Sequence, residues 1–193
     1  MGPDHPPNYN HLALTRREWN EPAVWRTYKT VRGVAGSLFF GKFATERFDD
    51  PARDFGVCYL GVDTYTAFIE CFRQRARFKC VAESEIQQSS VVRVQISPLN
   101  LLDITGPGLA HLGQTGNLTS SESHVESQIF SRRIFEHPEN VDGILYRAKQ
   151  DPNRFSIALF ERAEHKVTAD TSAEWHGHGQ LVEILDHYEL GLI

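Results

Sequence analysis

Apolar positions along the chain change their period several times, and each change marks an element. Ala23–Tyr28 (AVWRTY) is β-branched and aromatic. A period of two puts Val24 and Arg26 on one face of a strand and Trp25 and Thr27 on the other. GVCYLG, from Gly56, reads as a second short strand. A helix follows: Asp63 or Thr64 can cap it, and Ala67, Phe68, Cys71 and Phe72 then fall at i, i+1, i+4 and i+5. Glu70 lies off that stripe, near Thr66, Arg73 and Gln74, so its oily neighbours in sequence are not its neighbours in space. Cys71, on the stripe, is expected in the core.

Further on, SSVVRVQISPLNLLDIT predicts a strand and a second short apolar segment. His124–His137 reads as a helix ended by Pro138, with Val125, Ile129 and either Phe130 or Ile134 inward. Asn140–Ala148 and Phe155–Phe160 predict two strands joined by a turn around QDPNR, and GQLVEILDHYELGLI closes the core as a helix or strand. Residues 1–18, rich in Pro, Asn and His, are expected as a loose arm, which leaves 19–193 as one domain. RGVAGSLFFGKF, from Arg32, should turn twice, and FDDPARD is turn chemistry. The glycine- and serine-rich stretch Gly106–Ser123 is expected as a mobile loop. Helical and strand segments alternate irregularly, which favours a single mixed α+β domain over a doubly wound parallel sheet.

Composition narrows the function classes. The chain has 193 residues, 40% apolar and 23% charged, with a net charge of −5. It is long enough for a core without disulfides or metals. No basic stripe supports direct nucleic-acid binding, and Arg73, Arg75, Arg77, Arg132 and Arg133 read as solvated faces. The three cysteines, Cys58, Cys71 and Cys80, form no CxxC. Buried thiols in a reducing, cytoplasmic setting are expected. MGPDHPPNYNH lacks the basic-then-apolar order of a signal peptide, and no run reaches the roughly 20 apolar residues of a membrane helix. His176 and His178 in WHGHG have no third ligand nearby, so no metal is expected. GxxxxGK[ST], a GxGxxG after a strand, and GxSxG are all missing.

An arginine–carboxylate set remains: Arg26 on a strand, Arg47 in a loop, Tyr59 on a strand and Glu70 on a helix. If the fold brings them together, they suit a dinucleotide such as NAD. Its pyrophosphate matches forked, permanently charged guanidinium groups. Its nicotinamide is already cationic and leaves without an acid, so a single carboxylate can serve the oxocarbenium-like sugar. Tyr28, Tyr59 or Tyr146 could stack on the flat base, although each alone is more often sheet packing.

In order and spacing, these segments resemble the RES-domain family. The carrying stretches are WRTY (Arg26), ERFDD (Arg47, Phe48), GVCYLG (Gly56, Tyr59, Leu60), TAFIE (Ala67, Glu70) and DGILYRA from Asp142 to Ala148, followed by SIALF. The resemblance runs over roughly residues 22–190, nearly the whole domain. The resemblance implies an ADP-ribosyltransferase-like fold with a central, largely antiparallel sheet. It implies a toxin that destroys NAD by hydrolysis or phosphorolysis at the nicotinamide–ribose bond. NAD is then substrate, and no cofactor is required. It implies catalytic roles for Glu70 and Arg26, and cofactor-binding roles for Arg47, Tyr59 and Tyr28. The implied partner is a helix-turn-helix antitoxin; neither membrane nor nucleic acid is a direct partner, and a homodimer stays open. Two further readings keep the same site: ADP-ribose transfer to a macromolecule, or an NAD-binding regulatory relative without turnover. The last is motivated by Ala148, which stands where the family carries its serine; Ser156 and Ser123 are candidates to supply the hydroxyl. Asp49, where the family often has asparagine, and the long glycine-rich stretch also depart from the pattern.

Overall fold

The computed structural model describes residues 9–30, 37–72 and 79–193. Ten strands run through them: β1 (Arg16–Trp19), β2 (Ala23–Lys29), β3 (Val57–Gly61), β4 (Cys80–Val81), β5 (Ser89–Ile96), β6 (Leu99–Asp103), β7 (Gly143–Arg147), β8 (Phe155–Phe160), β9 (Val167–Glu174) and β10 (Gly191–Leu192). Eight of them form one sheet in the order β1-β6-β7-β8-β3-β2-β5-β9, while β4 and β10 pair separately. Every neighbour in the large sheet is antiparallel except β6 and β7. The α-helices among the described residues are α1 (Thr64–Cys71), α2 (Glu83–Gln87), α3 (Gly108–His111), α4 (Asn117–Ser120), α5 (Val125–Phe135) and α6 (Leu181–His187). Among the described residues no helix is long and apolar enough to cross a membrane.

Period-two patterning divides the sheet into two faces. Val24, Cys58, Leu60, Val92, Leu145 and Ile157 build a continuous core on one. The other face carries two separate cores. Val57, Ile144, Tyr146 and Phe160 pack with Phe130 and Ile134 of α5. Val91 and Trp25 pack with Phe68 and Phe72 at α1, with Trp175, and with Ile184 of α6. The interval between these two cores is where the candidate site lies.

Four expectations are corrected. From Tyr9 onward the N-terminal segment is part of the domain, not a loose arm. Tyr9 is buried with its ring edge-on to Phe130, Leu14 is buried, and β1 pairs with β6. Residues 1–8 lie outside the described residues, as do 31–36 of the glycine-rich stretch and the arginines at 73, 75 and 77. The stretch from Gly106 to Ser123 holds α3 and α4, pinned by buried Leu112 and Leu118. In α5 the inward face is Ser127, Gln128, Phe130, Ser131 and Ile134, while Val125 and Ile129 are exposed. The polar members of that face bond backbone carbonyls, of Leu118 in α4 and of Ala44, Glu46 and Phe48, which is why a hydropathy stripe misplaces it. Cys71 is exposed rather than core; the buried residues of α1 are Thr64, Thr66, Ala67, Phe68 and Ile69.

Candidate functional site

β2 follows β5 along its whole length, but it meets β3 at a single register pair, Trp25 and Gly61. Arg26 and Leu60, then Thr27 and Tyr59, would be the next pairs; instead all four line a cleft. Further along β3 the neighbour is Gly41, which exchanges both backbone hydrogen bonds with Val57 at 3.1 Å. The cleft has a volume of about 680 Å³, within the roughly 300–1,000 Å³ of small-molecule and cofactor sites.

Glu70 reaches this cleft because α1 is tightly placed. The Asp63 carboxylate caps α1, accepting from Thr66 N at 2.7 Å. It is also paired with the Arg154 guanidinium, which stacks over the Tyr65 ring. At the other contact, α1 lies directly on β3: a Cβ added to Gly61 would stand 2.5 Å from Ala67 N. Thr66 and Glu70, one turn apart on α1, therefore line the cleft together. The Glu70 carboxylate is held in turn by the β7–β8 turn. Its Oε1 accepts from Lys149 N at 3.1 Å and lies 3.5 Å from Gln150 N.

Arg47 sits in a loop organised by hydrogen bonds rather than by regular structure. Asp49 Oδ2 accepts from Thr45 N and Glu46 N, each at 3.0 Å. The Tyr59 hydroxyl donates to Asp49 Oδ1 at 3.0 Å and accepts from Phe48 N at 2.8 Å. From α5, Gln128 donates to the Ala44 and Glu46 carbonyls and Ser131 to that of Phe48. Arg132 bridges Asp50 and Asp54. Within this clamp Arg47 is only 4% exposed. It donates to the Leu118 and Ser121 carbonyls while lining the cleft. Burial, reinforced by the Asp49 carboxylate, pushes the Tyr59 pKa well above the ordinary tyrosine value.

The structure thus brings Arg47, Tyr59 and Glu70 to one cleft. Arg26 also contributes to the wall, but its guanidinium is turned to the Ser37 carbonyl at 2.9 Å. Its charge there offsets part of the burial that raises the pKa of Cys58. Tyr28 is elsewhere: its hydroxyl meets Ser172 at 2.7 Å and its ring packs on the Val24–Leu60 core. Sequence reasoning did not single out Thr27 and Lys29 of β2, or Glu46 and Glu85, which also line the cleft. It also missed the two backbone amides at Glu70, because main-chain donors leave no mark in side-chain patterns. Among the described residues no three His, Cys, Asp or Glu side chains are grouped to hold a metal ion.

The fold has a known counterpart. A chain of the M. tuberculosis MbcT–MbcA toxin–antitoxin complex superposes with a TM-score of 0.66 at 16% identity, over 82% of this chain and 86% of that one. The domain is therefore a single mixed α+β unit that shares the fold of that chain. The RES-domain family model matches residues 21–178, and the chain belongs to that family. A "probable toxin y4kH" of Sinorhizobium fredii is 28% identical over 112 residues, 57% of this chain and 87% of that relative.

Proposed function

We propose that this protein is an NAD-degrading toxin of a toxin–antitoxin pair that acts in the cytoplasm by breaking the nicotinamide–ribose bond. The observation that carries the reading is Glu70, a carboxylate oriented by two backbone amides at the wall of a dinucleotide-sized cleft in a RES-domain chain.

The reaction asks little of the protein beyond orientation and charge. The bond between the sugar carbon and the nicotinamide nitrogen breaks, and its electron pair returns to the ring, which leaves neutral. Positive charge passes to the ribose carbon, and the Glu70 carboxylate stabilises it. Water adds its oxygen at that carbon and releases a proton, giving ADP-ribose; phosphate in the same place gives the sugar phosphate. Arg47, buried and positive, favours the pyrophosphate end, with Lys29 and Arg26 at the same cleft. Tyr59, its hydroxyl engaged in the Asp49 loop, offers its ring to a flat base.

Incubation of the purified protein with NAD, with and without phosphate, tests this directly. Release of nicotinamide is expected, and the accompanying sugar product identifies the acceptor. NAD that binds but stays intact would favour the regulatory reading, for which Ala148, buried and lacking a hydroxyl, is the motivating residue. The partner implied by this function is an antitoxin, and co-expression with one should relieve growth arrest.

A further inference from the structure

We propose that the Ser156 hydroxyl is a substrate contact at the floor of the cleft, holding the nicotinamide–ribose half of the dinucleotide beside Glu70. The inference rests on the NAD reading above.

Ser156 lies on β8, with Tyr146 of β7 as cross-strand partner on one side and Gly61 of β3 on the other. Antiparallel partners share a face, and Tyr146, Gly61 and Ser156 all line the cleft. The residue is 3% exposed, and its Oγ has no hydrogen-bond partner among the described residues. Buried hydroxyls are almost always paired. The other buried group in this condition, Trp19 Nε1, is on β1 at the far edge of the sheet. The unpartnered hydroxyl in the cleft therefore points to a ligand.

The surrounding polar groups are already engaged. Tyr59 is bound to Asp49 and Phe48, Arg47 to two carbonyls, and Glu70 to two amides. A serine hydroxyl both donates and accepts, and it reorients by rotation about one bond. It suits a neutral sugar hydroxyl or carboxamide rather than a phosphate. Ala148 adds a second line of argument. It lies two residues beyond Tyr146, on the same face, and its N–H bonds the Arg154 carbonyl. Ser156 is then its diagonal neighbour, with Cβ atoms roughly 7 Å apart or less. A hydroxyl at 156 can address the ligand region that one at 148 would address.

A serine retained only for its size would tolerate alanine. Ser156→Ala is instead expected to raise the KM for NAD about three- to tenfold, with kcat changing much less. Its unliganded melting temperature should be unchanged or higher, and the shift induced by NAD smaller. Adding Ala148→Ser to that variant should restore part of the lost affinity. Parental KM and NAD-induced shift in Ser156→Ala, while the parent turns over NAD, would overturn this inference alone. A sharp drop in its unliganded melting temperature would assign Ser156 to packing and overturn it as well. A parent that neither binds nor cleaves NAD would remove the NAD reading and this inference with it.

Discussion

Glu70 on α1 accepts the backbone N–H of Lys149 at 3.1 Å, a contact spanning 79 residues of sequence. It couples the helix that leaves β3 to the turn that joins β7 and β8. The carboxylate is thereby oriented from outside its own helix, by a main-chain donor that only a proline at position 149 would remove.

Glu70→Gln keeps an oxygen for that donor and removes the charge. The expected result is a fall in kcat of about 10²–10³-fold, with KM little changed and the melting temperature nearly parental. Steady-state NAD kinetics check it; nicotinamide release at the parental rate would show that Glu70 does not stabilise the cationic sugar.

Gly61→Ala should weaken both fold and activity, because the new methyl would press on the backbone of α1 at Ala67 N. A loss of about 1–3 kcal/mol is expected. Urea unfolding measures the first effect and NAD turnover the second. A parental midpoint would mean that α1 can shift away without cost.

Arg47→Lys is not a conservative change here. One ammonium on a flexible stem cannot reproduce the planar donation to the Leu118 and Ser121 carbonyls. Both Arg47→Lys and Arg47→Met should lose about 1–3 kcal/mol of stability and raise the KM for NAD. If the lysine variant matched the parent in both measurements, charge alone would be sufficient at this position.

Tyr59→Phe leaves Phe48 N and Asp49 without their shared hydroxyl, so a loss of about 1–3 kcal/mol at neutral pH is expected. The pH dependence has a definite sign. The folded pKa is raised above the ordinary value of 10.0. Above that value the unfolded chain releases the proton while the folded one retains it, so stability falls as pH rises. The phenylalanine variant should decline less steeply in that range. Some decline persists, because Tyr9, Tyr65 and Tyr188 are raised too. Equal slopes in denaturation series across alkaline pH would refute the assignment.

Local patterns carried a good part of this architecture. β2, β3, the Asp63 cap and the β7–β8 pair all follow from periodicity and turn chemistry, and Arg47, Tyr59 and Glu70 do share a cleft. Where the patterns misled, the missing information was long-range. The inward face of α5 contains Ser127, Gln128 and Ser131, which count as polar until the carbonyls they bond are known. Cys71 fits an apolar stripe, but the surface over that turn of α1 is the cleft. Tyr9 and Leu14 lie in a short stretch of prolines and polar residues with no periodic apolar pattern, and their burial depends on α5 and β6, more than eighty residues away in the chain. Arg26 and Tyr28 lie on the same strand as Thr27, yet one is turned to Ser37 and the other to Ser172.

An ordinary open sheet has two edges, both at its margins. The parting of β2 from β3 beyond Trp25 and Gly61 gives this one an inner pair as well. Exposed margins invite pairing with other chains; these inner ones are short, recessed and walled by α1 and the Arg47 loop. Under the proposed function, a ligand narrow enough to lie between them would enter where another protein's strand would not, and selectivity would begin with a gap in the backbone, before any side chain is consulted.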